Sequence, residues 1–136
     1  MVKRVEHIGI AVSNVQEANA LFESLLGQAP YKEESVASEG VRTSFFIEDH
    51  TKIELLGATR PDSPIAKFID RKGGGMHHIA FLVEDIYDEM ERLKASGFQL
   101  LNDSPKVGAD NKLICFIHPK SAGGVLVELC QERKAQ

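Results

Sequence analysis

Four side chains in this sequence have the types and the spacing to hold a divalent metal: His7, Glu54, His78 and Glu128. Imidazole nitrogen and carboxylate oxygen are ligands for divalent transition ions. All four fall inside apolar, strand-like runs. A strand turns alternate side chains to opposite faces, so His7, Gly9 and Ala11 share one face of residues 5–12, while Ile8, Ile10 and Val12 take the other. The second run repeats this, with His78, Ala80 and Leu82 opposite Ile79, Phe81 and Val83. In Lys52-Ile53-Glu54-Leu55-Leu56, Glu54 points away from Ile53 and Leu55. In Val125-Leu126-Val127-Glu128-Leu129, Glu128 points away from Val125, Val127 and Leu129. A carboxylate in the middle of an apolar strand is costly to bury unless it is paired or binds a metal. Any one of these residues taken alone reads as structural. The four together sit at matched places, Glu54 lying 47 residues after His7 and Glu128 lying 50 after His78. A pseudo-twofold axis would gather them into a His₂Glu₂ site.

The elements that must position these side chains repeat as well. After each His strand comes a helix start, Asn14 or Asp85, whose side-chain oxygen can accept from the first turn. Glu17, three residues after Asn14, adds a capping-box partner. Val15, Ala18, Leu21, Phe22, Leu25 and Leu26 mark the apolar stripe of the first helix; Ile86, Met90 and Leu93 mark that of the second. Gly27 and Gly97 are expected to close them in the left-handed conformation. Strand patterns follow at about 30–38, 41–48 and 51–57, and again at about 98–103, 111–118 and 123–130. Each half therefore reads β-α-β-β-β, which makes the chain α+β. It is expected to form one domain over 1–136, with module one at about 1–57, a connector at 58–75 and module two at about 76–136. Ser63-Pro64-Ile65-Ala66-Lys67-Phe68-Ile69 in the connector predicts a short helix with Ser63 as N-cap. Gly73-Gly74-Gly75 lacks the strand–GxGxxG–helix setting of a dinucleotide site. Of the other histidines, His50 sits in a polar turn, His77 is structural by parity, and His118 opens His118-Pro119-Lys120 at a strand end.

Bulk composition narrows the function classes. The chain has 136 residues, 43% apolar and 26% charged, enough for a core without staples. Sixteen basic and twenty acidic side chains give a net charge of −4, which argues against a nucleic-acid partner. No apolar run is long enough to span a bilayer, and the N-terminal residues enter a strand without a signal-peptide pattern. Cys115 and Cys130 lie in apolar runs without CxxC spacing and read as buried thiols. The expectation is a cytoplasmic protein.

Several segments carry a more specific signal: Val5-Glu6-His7-Ile8-Gly9-Ile10-Ala11-Val12, Asp62-Ser63-Pro64-Ile65-Ala66, Gly75-Met76-His77-His78-Ile79-Ala80-Phe81, and the run from His118 to Leu129. Through them nearly the whole chain resembles the vicinal oxygen chelate superfamily, and within it the methylmalonyl-CoA epimerases. The resemblance implies two βαβββ modules paired into a metal-binding cup, with His7, Glu54, His78 and Glu128 as ligands of one ion. Some family members carry Gln at the second of these places, where this chain has Glu54. The mixed N/O set suits Co²⁺, Mn²⁺, Ni²⁺ or Zn²⁺. Some relatives have a further glutamate, acting as a base, where this chain has Thr43, and threonine is a poor base at neutral pH.

The implied reaction is epimerisation of an acyl-CoA at the carbon between a carboxylate and a thioester. A proton leaves one face and returns to the other, with acid/base groups on both sides. Glu128 is the leading candidate for one group and Glu54 for the other. Lys112, Lys120 and Arg42 are candidate cations for the CoA moiety, and family analogy suggests a homodimer. Rival readings share the fold. A glyoxalase I-type lactoylglutathione lyase uses the same ligand types, but the Ser63–Ala66 and His118–Leu129 segments favour the epimerase. An Fe²⁺ ring-cleaving dioxygenase needs two His and one carboxylate, so Glu54 as a fourth ligand argues against it. A non-catalytic binding protein of the superfamily would usually lack the full ligand set.

Overall fold

The computed structural model describes residues 1–134. The chain divides into two compact units, one of residues 7–77 and one of residues 1–6 with 78–136. The boundary cuts β1 (Val2–Ala11), so the strand's first half belongs to the second unit and the half carrying His7 to the first.

In the first unit β1 is followed by α1 (Val15–Leu26), β2 (Lys32–Val36), β3 (Val41–Phe46), β4 (Lys52–Ala58) and α2 (Pro64–Lys72). The strands lie in the order β2-β3-β4-β1. β2, β3 and β4 form an antiparallel meander, and β1 runs parallel to β4. Local chemistry sets the helix ends. The Asn14 side chain accepts the Glu17 N–H at 3.0 Å, and Gly27 closes α1 at φ 75° with its N–H on the Glu23 carbonyl. Ser63 caps α2 by accepting the Ala66 N–H at 3.1 Å, with Pro64 at the first helical position. α2 inserts Ile65 against Ala11, Val41 and Leu56, with Phe68 and Ile69 beside it. α1 lies over the other face, where Val15 stands directly above Gly57 and Phe22 meets Phe46 at 6.3 Å.

The second unit contains β5 (Gly75–Val83), whose first three residues count with the first unit, then α3 (Ile86–Ala95), β6 (Lys106–Val107), β7 (Lys112–Ile117) and β8 (Val127–Glu132). Its order, β5-β8-β7-β6, repeats that of the first unit, with β5 parallel to β8 and the other pairs antiparallel. Asp85 caps α3 by accepting from the N–H groups of Tyr87 and Asp88. Ile86, Met90 and Leu93 pack on Val83, Cys115, Ile117 and Leu129. Burying this set removes enough apolar surface to contribute roughly 2 kcal/mol per large side chain. Glu89 is buried on the same helix, and the Arg92 guanidinium at 2.9 Å holds its carboxyl below the usual carboxylate range against the opposing effect of burial.

Several expectations shift. Leu21 and Leu25 are exposed, because the packed stripe of α1 runs through Val15, Ala18, Phe22 and Leu26 and leaves those two leucines outside it. α3 ends at Ala95 with Ser96 as its cap, and Gly97 takes the positive φ one residue later. The strand expected at 98–103 is reduced to a single bridge, Leu100 with Ile117. There the Asn102 side chain, in place of a backbone carbonyl, accepts the Phe116 N–H at 2.9 Å. The last strand begins at Val127 rather than 123, because Gly123 and Gly124 turn the chain at φ 66° and 90°. No helix among the described residues is long and apolar enough to cross a membrane.

Candidate functional site

Each unit presents one buried histidine bonded to one buried glutamate. In the first, Glu54 sits on β4 beside Gly9 of β1, two residues from His7 along the same face. His7 Nδ1 lies 3.2 Å from Glu54 Oε2, and the side chains are about one-twentieth exposed. In the second, Glu128 of β8 sits beside Ala80 of β5, again two residues from the histidine. His78 Nε2 lies 3.1 Å from Glu128 Oε1. The pairs are built alike because both come from parallel ladders in which the residue two beyond the histidine faces the glutamate. Small side chains at those places, Gly9 and Ala80, leave the space above the ladder to the pair.

The pairs suit a metal. Two ligand atoms on adjacent corners of an octahedral ion with bonds of about 2.1 Å lie about 3 Å apart, the separation found in both. The paired ligand atoms lie within 4.8 Å of one another in buried His/Glu groups. A buried carboxylate also needs a positive partner, which an ion would supply.

The rest of the first unit's inner face follows from the ladders. Phe45 stands beside Glu54, and Thr43 beside Leu56. Thr43 is 1% exposed. Across the β2–β3 ladder it faces Glu34, whose carboxylate is 3.6 Å from Lys32 Nζ. Besides Glu89 on α3, two buried charges went unremarked in the sequence. Lys52, beside His7 in the ladder, is 9% exposed, and Glu6 is 1% exposed. The signal for Lys52 was its parity, two residues before Glu54 on the same face.

The other expected site residues are placed as follows. Arg42 lies on the α1 side of the sheet, opposite the His7–Glu54 face, and donates to Glu33 at 2.8 Å. Lys112 is buried on the Phe116 side of β7 and bonded to Asp110 at 3.2 Å, four residues along the strand from the Phe116–Glu128 register. Lys120 is exposed in a short 3₁₀ turn, its backbone N–H donating to His118 Nδ1 at 3.0 Å. The Phe116 ring meets the His78 imidazole edge to face at 5.8 Å. His77 packs edge to face on Phe68 at 4.9 Å, and His50 is exposed.

A profile of the Glyoxalase/Bleomycin resistance protein/Dioxygenase superfamily matches residues 6–116. The chain belongs to this superfamily. Within the superfamily it is epimerase-like. It is 40% identical over 133 residues to the ethylmalonyl-CoA/methylmalonyl-CoA epimerase of Cereibacter sphaeroides, covering 96% of this chain and 99% of that one. The crystal structure of methylmalonyl-CoA epimerase from Mycobacterium tuberculosis superposes with a TM-score of 0.92 at 33% identity, over 98% of this chain and 90% of that one. A methylmalonyl-CoA epimerase solved in complex with methylmalonyl-CoA and NH4+ superposes with a TM-score of 0.94 at 30% identity, over 100% and 99%. The α+β fold of two βαβββ units is that of the glyoxalase superfamily, and the chain is an isomerase of the epimerase type.

Proposed function

We propose that this chain interconverts the two C2 epimers of methylmalonyl-CoA, with His7, Glu54, His78 and Glu128 holding one divalent ion. The observation that carries the reading is the repetition of a buried His–Glu pair at the same strand positions in both units. The similarity to named epimerases supports the substrate class. A divalent ion held there would act as a Lewis acid on the thioester oxygen, where negative charge develops when C2 loses its proton.

The chain's own groups do the rest. Glu128 takes the proton on one side of C2. A carboxylate has two oxygens, so one can serve as a ligand and the other as a base. Glu54 serves the opposite side, because Thr43 offers only a hydroxyl. Burial of both carboxylates limits competition from water for the proton. Lys120, exposed beside the β7–β8 connection, and Lys112 are the cations proposed for the CoA phosphates. Arg42, on the far face, is left out of this set. The active form is proposed to be a homodimer.

The test is proton exchange at C2 followed by NMR in D₂O, with metal content quantified and a chelated control. Metal-dependent deuterium incorporation is expected, and Glu128→Ala should slow it by about 10²–10⁴-fold, the usual contribution of a general base. No exchange by fully metallated protein sinks the epimerase reading and directs the assay to the glutathione hemithioacetal.

A further inference from the structure

In the first unit α2 lies on the same side of the sheet as the His7–Glu54 pair. Its Ile65 packs on Ala11, Val41 and Leu56, with Phe68 and Ile69 beside it. Ala11 stands opposite Leu56 in the β1–β4 ladder, two residues past Gly9 and Glu54, so alternation keeps both on the face that carries His7 and Glu54. Val41 shares that face with Phe45, which stands beside Glu54. α2 therefore borders the face roughly 7 Å along β4 from Glu54, at about 3.3 Å per strand residue.

The helix is basic on an acidic protein. Lys67, Arg71 and Lys72 stand against Asp70 on a chain of net charge −4, and all four residues are exposed. Arg71 is the cation with a fixed seat. Its guanidinium carbon lies 6.0 Å from the centre of the Phe68 ring, and His77 holds that ring edge to face at 4.9 Å. A guanidinium over an aromatic ring keeps its N–H groups available in a planar fork that matches a phosphate. A cation in the last turn also complements the helix dipole. That structural reason applies equally to Lys72, which makes Lys72 the control.

We infer that Arg71 holds a phosphate of the CoA moiety at the border of the His7–Glu54 face, and so selects CoA thioesters over thioesters of the bare pantetheine arm. This rests on the acyl-CoA reading of that face and adds a binding residue to it. The pantetheine arm separates the thioester from the phosphates, so a phosphate contact belongs at the border of the face rather than beside the His–Glu pair. An arginine kept only for the helix end would affect stability and treat both thioesters alike.

The experiment is calorimetric titration of protein of known metal content with methylmalonyl-CoA and with methylmalonyl-pantetheine, which lacks the phosphates, run beside the C2 exchange assay. Wild-type protein is expected to bind the CoA thioester about fivefold or more tightly than the pantetheine thioester, the scale of a partly exposed charged hydrogen bond. In Arg71→Met, which keeps an apolar stem over Phe68, that preference should shrink to within about twofold while affinity for the pantetheine thioester and kcat hold. Lys72→Met should change the preference by less than about twofold. The inference is overturned by a wild type without preference, by a preference that survives in Arg71→Met, by equal loss of both thioesters, or by a Lys72→Met effect as large as that of Arg71→Met. Failure of the epimerase reading shows elsewhere. No C2 exchange, alongside an Arg71-dependent preference for the CoA thioester, would retire the reaction and keep the phosphate contact.

Discussion

Glu54 is given two duties, ligand and base, and a single substitution separates them. Glutamine keeps an amide oxygen where the carboxylate oxygen stands 3.2 Å from His7 Nδ1, but it cannot accept a proton. Glu54→Gln should therefore still bind metal and still exchange the C2 proton of one epimer, the one that Glu128 serves. Interconversion of the epimers should fall by about 10²-fold or more, the lower end of general-base catalysis. Enantiopure substrates in D₂O check this, and equal loss of exchange from both epimers would remove Glu54 from the base role. At this scale the sequence was informative where parity decided the answer. Alternation in apolar strands set His7 with Glu54 on one face and His78 with Glu128 on one face, and the register of each ladder agrees. Arg42 shows the limit. It was a candidate cation for the CoA moiety, yet the strand register puts it on the face opposite Glu54.

The two helices do the same job with different success. α3 buries Ile86, Glu89, Met90 and Leu93, whereas no residue of α1 is fully buried. In the repeat, Asn19 and Ser44 occupy the places of Met90 and Cys115. Among the described residues the Oδ1 of Asn19 and the Oγ of Ser44 are buried with no hydrogen-bond partner. What brings α1 close to its sheet is Gly57, where an added methyl would strike the branched side chain of Val15. Valine cannot swing aside as a long side chain could. Gly57→Ala should destabilise the protein by about 1–3 kcal/mol through overpacking, read as a lower urea midpoint, and an unchanged midpoint would show that α1 floats free of β4. The helices and most strands were legible because their apolar periods and caps are strong. The stretch 98–103 misled because its alternation continues into Asn102-Asp103-Ser104-Pro105, where a side-chain oxygen and a proline replace the ladder's backbone groups.

For the molecule as a whole, the outward stripe of α1 is an exposed apolar feature. Leu21 and Leu25, one turn apart, are 64% and 70% exposed. Large apolar side chains set together on a helix face are a common component of subunit contacts. If the proposed homodimer uses this face, the double variant Leu21→Glu, Leu25→Glu should sediment as a monomer with its exchange activity measured alongside. A dimer that survives both charges places the contact elsewhere. Fold class could be inferred from the repeat alone, since strand order β1-β4-β3-β2 in one unit and β5-β8-β7-β6 in the other follows from two copies of one pattern. No periodicity foretold that the first residues of β1 would count with the opposite half of the chain, because that depends on contacts far apart in sequence.

Cys115 and Cys130 stand on neighbouring strands of the second unit, but they look in opposite directions. Cys115 lies in the cluster under α3, and Cys130 lies with Ala80, Leu82 and Ile114 on the face that carries His78 and Glu128. Both are wholly inaccessible, and burial pushes the Cys115 thiol up from its usual range. A thiol reagent can therefore reach either one only when the layer above it opens. The two labelling rates form a pair of internal clocks, one timing departure of the helix and the other timing exposure of the face that carries His78 and Glu128. Read by mass spectrometry on the same sample, they tell whether a substitution has loosened the scaffold or only the chemistry.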